Sequence, residues 1–245
     1  MKADTGIVLI IIAFVFGAAL MAYAEEISAL QYINSLPAAF STLIAAFVGA
    51  WYAYRLQLAH LEKEREKEEV EAGNKAIFEM GKTYNKFAAI RKQFIETYRD
   101  STARYVLILP MAGNIETPKI NFDSLSFLIE SEDPNLLGRL SMFEQEVSST
   151  LSIIEQRSRL HVDVVQPAVE NLEKINGEEM SLGEIESELG TRYSKTMKML
   201  TDYMIEGVDR VLVLAEQHTQ ELRKILHDQY PGHNIIGFIV SDTQN

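Results

Sequence analysis

The sequence predicts a mainly α protein: an N-terminal transmembrane helical hairpin, a charged helical stalk, and a cytoplasmic helical bundle with at most a small two-stranded ribbon. Three observations lead there. No charged residue occurs between Glu26 and Arg55, and about 20 mostly apolar residues let a helix cross roughly 30 Å of hydrocarbon. Downstream, apolar residues recur at three-, four- and seven-residue spacings, the signature of amphipathic helices. Glycine and proline number only 13 and 6, too few for a mainly β or low-complexity chain. The resulting division is a membrane anchor over 1–58, a stalk over 59–75 and a helical domain over 76–245.

The first apolar segment, 6–24, is uncharged and has two readings. It is long enough for a retained span. Behind Lys2, however, Ala22-Tyr23-Ala24 also fits the small-x-small pattern of a cleaved signal peptide. The length of the apolar core and Asp4 in the n-region favour retention. The second span is expected over 38–56. Trp51, Tyr52 and Tyr54 cluster at its C-terminal end, where amphipathic rings favour the headgroup layer. Arg55 follows and can extend its charge to the phosphates. Ser41, Ala45, Gly49 and Ala53 place a small residue at every fourth position, a face on which a second helix can approach closely. Spans of this kind need neighbours, so a homo-oligomer is expected.

The connection 25–37 has two glutamates and no lysine or arginine, whereas Arg55, Lys63, Arg65 and Lys67 follow the second span. The positive-inside rule puts the long C-terminal part in the cytoplasm. Residues 56–75 mix both signs, with Glu62–Arg65 and Glu64–Lys67 at pairing distance. Leu58 and Leu61 start a seam that Arg65 and Glu68 do not continue, which favours a solvated stalk over a coiled coil.

From Ile77 the pattern becomes amphipathic: Ile77, Met80, Tyr84, Phe87, Phe94 and Tyr98 share one face. The run 105–109, YVLIL, ends at Pro110, and an irregular stretch follows. Asp133-Pro134 predicts a helix start with aspartate as N-cap. Leu136, Leu140, Phe143, Val147, Leu151 and Ile154 form the buried face of that helix. Pro167 opens a further short helix, and Ser181 with Glu184 has capping-box spacing. A long helix then carries Leu189, Met197, Leu200, Met204, Val208, Val211, Leu222 and Ile225 until Pro231-Gly232. The final apolar run contains Ile235, Ile236, Phe238, Ile239 and Val240. It is too short to span a membrane. It can pair with 105–109 as a ribbon, pack as an extended lid, or present a partner-binding patch.

No catalytic, cofactor-binding or metal-binding residues emerge. The net charge of −12 argues against direct nucleic-acid binding, which needs a basic face. With no cysteine there is no thiolate zinc site and no thiol nucleophile. The five histidines lack the HExxH and Glu-x-x-His spacings, and solvated or cap-forming roles are expected for them. Gly81-Lys82-Thr83 echoes a phosphate-binding loop, but Ala76 stands where that motif requires its first glycine. A non-enzymatic role without a cofactor follows.

The stretch 123–146, DSLSFLIESEDPNLLGRLSMFEQE, joined to two N-terminal spans and a helical cytoplasmic domain, resembles two-transmembrane effector proteins of bacterial anti-phage, retron-type systems. That resemblance implies a bacterial inner-membrane protein, held inactive until infection and then damaging the bilayer. It carries over no catalytic residue. The alternative expectation is a membrane-tethered scaffold or receptor whose bundle recruits a cytoplasmic protein.

Overall fold

The computed structural model describes residues 29–111, 117–176 and 180–237, with side chains outside 29–39 and 174–176. The expected first span, 6–24, and Phe238, Ile239 and Val240 lie outside the described residues. Among those described, all regular structure is helical. The chain forms two compact units that meet between Lys63 and Glu64.

In the first unit the described chain is the opening part of α1, Ala29–Ile90. Every side chain described there is exposed.

The second unit is a helical bundle. Its long members are the C-terminal part of α1, then α3, Leu136–Leu160, and α5, Leu182–Gln229. Its shorter pieces are α2, Arg104–Leu107, a 3₁₀ segment over Asp123–Glu130, and α4, Gln166–Asn176. The main core collects Ile77, Met80 and Phe87 of α1, Leu140, Phe143 and Val147 of α3, and Met204, Val208 and Val211 of α5. Each fully buried side chain of this size contributes roughly 1.5–3 kcal/mol. The buried face of α1 already starts at Val70 and Gly73, so the C-terminal end of the expected stalk belongs to the bundle. Two glycines permit close helix contact. A Cβ on Gly207 would lie 2.7 Å from Thr150 Oγ1, and one on Gly73 would lie 2.5 Å from Leu226 Cδ1.

Several expectations are corrected. Asp133 does not cap α3. The helix starts at Leu136 after Asn135, with no side-chain cap, and the Asp133 carboxylate pairs with Arg139, 2.5 Å away. The short helix expected from Pro167 forms as α4, with Pro167 its second residue, but it does not begin afresh there. α3 runs through a π-helical turn, His161–Val165, directly into α4. Proline in a regular helix collides with the carbonyl four residues back; the wider π turn relieves that contact at Asp163. The ribbon is not formed by the described residues: 104–107 is a helical turn, and 235–237 carries no strand. Nor is α5 one helix. Gly190, with φ 72° and ψ 159°, breaks it into 182–189 and 191–229. The capping box forms as expected, with Ser181 N–H donating to Glu184 Oε2 at 2.8 Å and Glu184 N–H to Ser181 Oγ at 3.3 Å. Gly81–Thr83 lies inside α1, where Lys82 pairs with Glu79 and the Thr83 hydroxyl donates to the Glu79 carbonyl.

Pro231 and Gly232 (φ 98°) end α5 in a turn closed by His233 N–H donating to the Tyr230 carbonyl at 3.2 Å. Proline at the second position and a positive-φ glycine at the third are what a type II turn requires. The turn sends the tail back along α1. There Asn74 donates to the Asn234 carbonyl and accepts from Ile236 N–H, both at 3.0 Å. Tyr230 Oη donates to Glu69 at 2.6 Å.

Candidate functional site

The first unit holds the expected packing face and interface anchors. Ser41, Ala45, Gly49 and Ala53 sit on successive turns of α1, all exposed, and a Cβ on Gly49 meets nothing within 4 Å among the described residues. The bulky side chains are equally exposed and cover most of the helix circumference, leaving one flank to Ala46, Gly49, Ala50 and Ala53: Phe40, Leu43, Ile44, Phe47, Val48, Trp51, Tyr52, Tyr54, Leu56 and Leu58. A helix that is apolar all round belongs in a core or a membrane, not in water. At its polar end the Arg55 guanidinium stacks 5.3 Å from the Trp51 ring, and Trp51 meets Tyr52 edge-on at 6.5 Å. A cation over an indole face is an attractive pairing, strongest when partly desolvated. Among the described residues no helix is long and apolar enough to cross a membrane. Uncharged residues 41–54 separate Phe40, the first described side chain, from Arg55.

The expected tail patch divides. Ile235 packs against the main core, and Ile236 is 40% exposed.

In the second unit the least expected feature is a buried arginine. Arg157 is fully buried on α3, and no carboxylate is among the partners its hydrogen bonds reach. Its Nε donates to Thr201 Oγ1 at 3.1 Å. Its Nη atoms donate to the carbonyls of Tyr105 (3.3 Å), Leu109 (3.4 Å) and Ile108. Tyr105 and Ile108 belong to the last turn and C-cap of the short helix α2, whose end leaves carbonyls without partners at the negative end of its dipole, and Leu109 follows it. Burial pulls the Arg157 pKa down to about 10, so it remains a cation at neutral pH. One turn on, His161 is also buried, and its Nε2 meets the Val106 carbonyl at 2.9 Å. Only a protonated Nε2 can donate there, so the neutral ring leaves Nδ1 without a hydrogen; Nδ1 is buried without a hydrogen-bond partner. Burial chiefly depresses the His161 pKa; the Val106 bond opposes this and the Arg157 charge adds to it. The solvated role expected for this histidine is therefore wrong; buried, it bonds instead to a carbonyl in the last turn of α2. His218 is buried as well, with Nδ1 3.0 Å from Glu221 and its ring edge-on to Phe143. Glu221 also accepts from Arg139 at 3.1 Å.

Arg157 and His161 escape a composition-based reading, yet their signal is in the pattern. The apolar face Phe143, Val147 and Ile154 continues at its own spacing onto Arg157 and His161. Polar residues on a buried face must find partners, and 105–109 supplies them. The arrangement is structural: it pins one chain segment and brings no nucleophile or acid–base pair together. No group of three or more histidine, cysteine, aspartate or glutamate side chains positioned for a metal occurs among the described residues. Comparisons with protein-family models, curated proteins and solved structures found no match.

Proposed function

We propose that the chain is a non-enzymatic effector of the bacterial inner membrane, with a role in anti-phage defence. Its N-terminal helices perturb the bilayer, and the cytoplasmic bundle controls them. One observation carries this reading: from Phe40 to Leu58 α1 exposes bulky apolar side chains around most of its circumference, and a stacked Trp51–Arg55 pair lies at the C-terminal end of that stretch. Lipid is the surrounding that such a surface requires. The uncharged stretch of sequence extends back to Glu26, and the positive residues after it favour a cytoplasmic bundle. Close association of copies through Ser41, Ala45, Gly49 and Ala53 gives a homo-oligomer in the bilayer.

The test is membrane potential in bacteria expressing the full chain. Depolarisation is expected, and it is lost when Gly49 becomes leucine at unchanged expression. A second reading, a tethered scaffold that recruits a cytoplasmic protein, draws on the exposed Ile236 at the head of the tail run. Exchanging residues 1–58 for an unrelated anchor separates the two: activity survives the exchange in a scaffold and disappears in an effector.

A further inference from the structure

The helix 182–189 doubles back on the helix that follows it. Glu186 Oε1 accepts from Tyr105 Oη at 2.8 Å and from Lys198 Nζ at 2.6 Å, and Ser194 Oγ donates to the Glu186 carbonyl at 3.4 Å. Along a continuous helix, residues 186 and 198 would stand about 18 Å apart. The contacts exist because the chain reverses at Gly190, whose φ of 72° with ψ of 159° is a conformation essentially confined to glycine. The reversal builds a second, smaller core from Tyr105, Val165, Leu172, Ile185, Leu189 and Met197, distinct from the main one. At its other end the same lobe joins α3 through the π turn His161–Val165, and such turns mark functional irregularities more often than regular helix does. The lobe is thus bounded by two irregular points. Its polar tie is a partly exposed carboxylate–ammonium pair, a contact of small net worth.

We propose that the described parts of this region, 161–176 and 182–189, form a hinged lobe, pivoting at Gly190 and at the π turn and clasped shut by Glu186 on Tyr105 and Lys198, whose release uncovers Leu189 and Met197. The Lys198 ammonium also lies 5.0 Å from the Tyr105 ring, so the three clasp residues close as one unit. A small core held by a weak polar tie opens before the main core does, in the manner of a subglobal unfolding unit. This gives the effector proposed above its moving part, and it rests on that reading only for its biological consequence.

The chain has no cysteine, so a single introduced thiol reports opening without interference. Thiol-labelling rates are compared for Met197→Cys, in the small core beneath the lobe, and Val208→Cys in the main core, both fully buried positions, in the purified full chain in detergent. Labelling at 197 is expected to be faster by about tenfold or more, and Glu186→Ala is expected to accelerate it further while leaving 208 unchanged. Equal rates at the two positions, or equal acceleration of both by Glu186→Ala, would overturn the hinge. If either cysteine variant fails to fold, amide exchange on the unsubstituted chain makes the same comparison between 184–189 and 204–215. Because labelling is read on purified protein, a chain that depolarises membranes without lobe opening overturns the hinge alone. A lobe that opens in a chain that never depolarises overturns the effector alone.

Discussion

Arg157 shows at the level of one residue how this bundle spends a buried charge. Its donors satisfy the buried Tyr105 and Ile108 carbonyls and also reach that of the more exposed Leu109. Arg157→Met keeps the stem and removes the donors, leaving buried acceptors unmatched. A loss of about 2–4 kcal/mol is expected in urea unfolding of the full chain in detergent. The neighbouring His161 makes stability depend on pH with a definite sign. Its folded pKa lies below the ordinary 6.5, so as pH falls through that value the unfolded chain takes up a proton that the folded chain refuses. Stability is fully present above about 6.5, declines on acidification, and levels off below the depressed folded value. The urea midpoint is therefore expected to be lower at pH 5.5 than at pH 7.5, and His161→Phe should reduce that difference. A midpoint with the same pH dependence in the variant would remove His161 as its source.

At the level of elements, two glycines with different roles are expected to respond differently to alanine. At Gly207 the added Cβ would press on Thr150 at 2.7 Å, so Gly207→Ala is expected to cost about 1–3 kcal/mol through overpacking of α3 against α5. At Gly190 a Cβ meets nothing among the described residues, so Gly190→Ala acts through backbone strain alone, again about 1–3 kcal/mol. That loss should appear as faster amide exchange in 182–189, with 204–226 unaffected. Ser181→Ala removes the capping box and should loosen the same short helix by about 0.5–2 kcal/mol. Much of this level was legible in advance. The three-and-four spacing of Leu136, Leu140, Phe143 and Val147 names the buried face of α3, and Ser181 with Glu184 names the start of α5. The reversal at Gly190 was not legible, because a glycine within a helical pattern reads as a tolerated interruption and Leu189 and Met197 keep the apolar face on either side. The ribbon pairing that the apolar run 105–109 left open does not form for a related reason: such a run is compatible with a strand or a turn, and a distant arginine bonds the carbonyls of the turn. The buried cluster was hidden because its partners lie about 50 residues away in sequence, joined by backbone carbonyls that carry no residue signature.

For the whole molecule, the decisive property is the contrast between the two units. The second buries its apolar faces in its own core, whereas the first, between Phe40 and Leu58, leaves large apolar side chains uncovered. Contiguous apolar surface of this kind marks a partner or a membrane, and the aromatic and cationic residues at the C-terminal end of that apolar stretch favour the membrane. Trp51 is the one tryptophan in the chain and stands at the boundary that this account assigns to the headgroup layer, so it is a native depth gauge. The most direct measurement is the fluorescence of the full chain reconstituted in liposomes, with lipids brominated near the top of the acyl chains as one quencher and aqueous acrylamide as the other. Membrane insertion predicts blue-shifted emission, efficient quenching by the brominated lipid and protection from acrylamide. Red-shifted emission that acrylamide quenches freely and brominated lipid leaves untouched would contradict it.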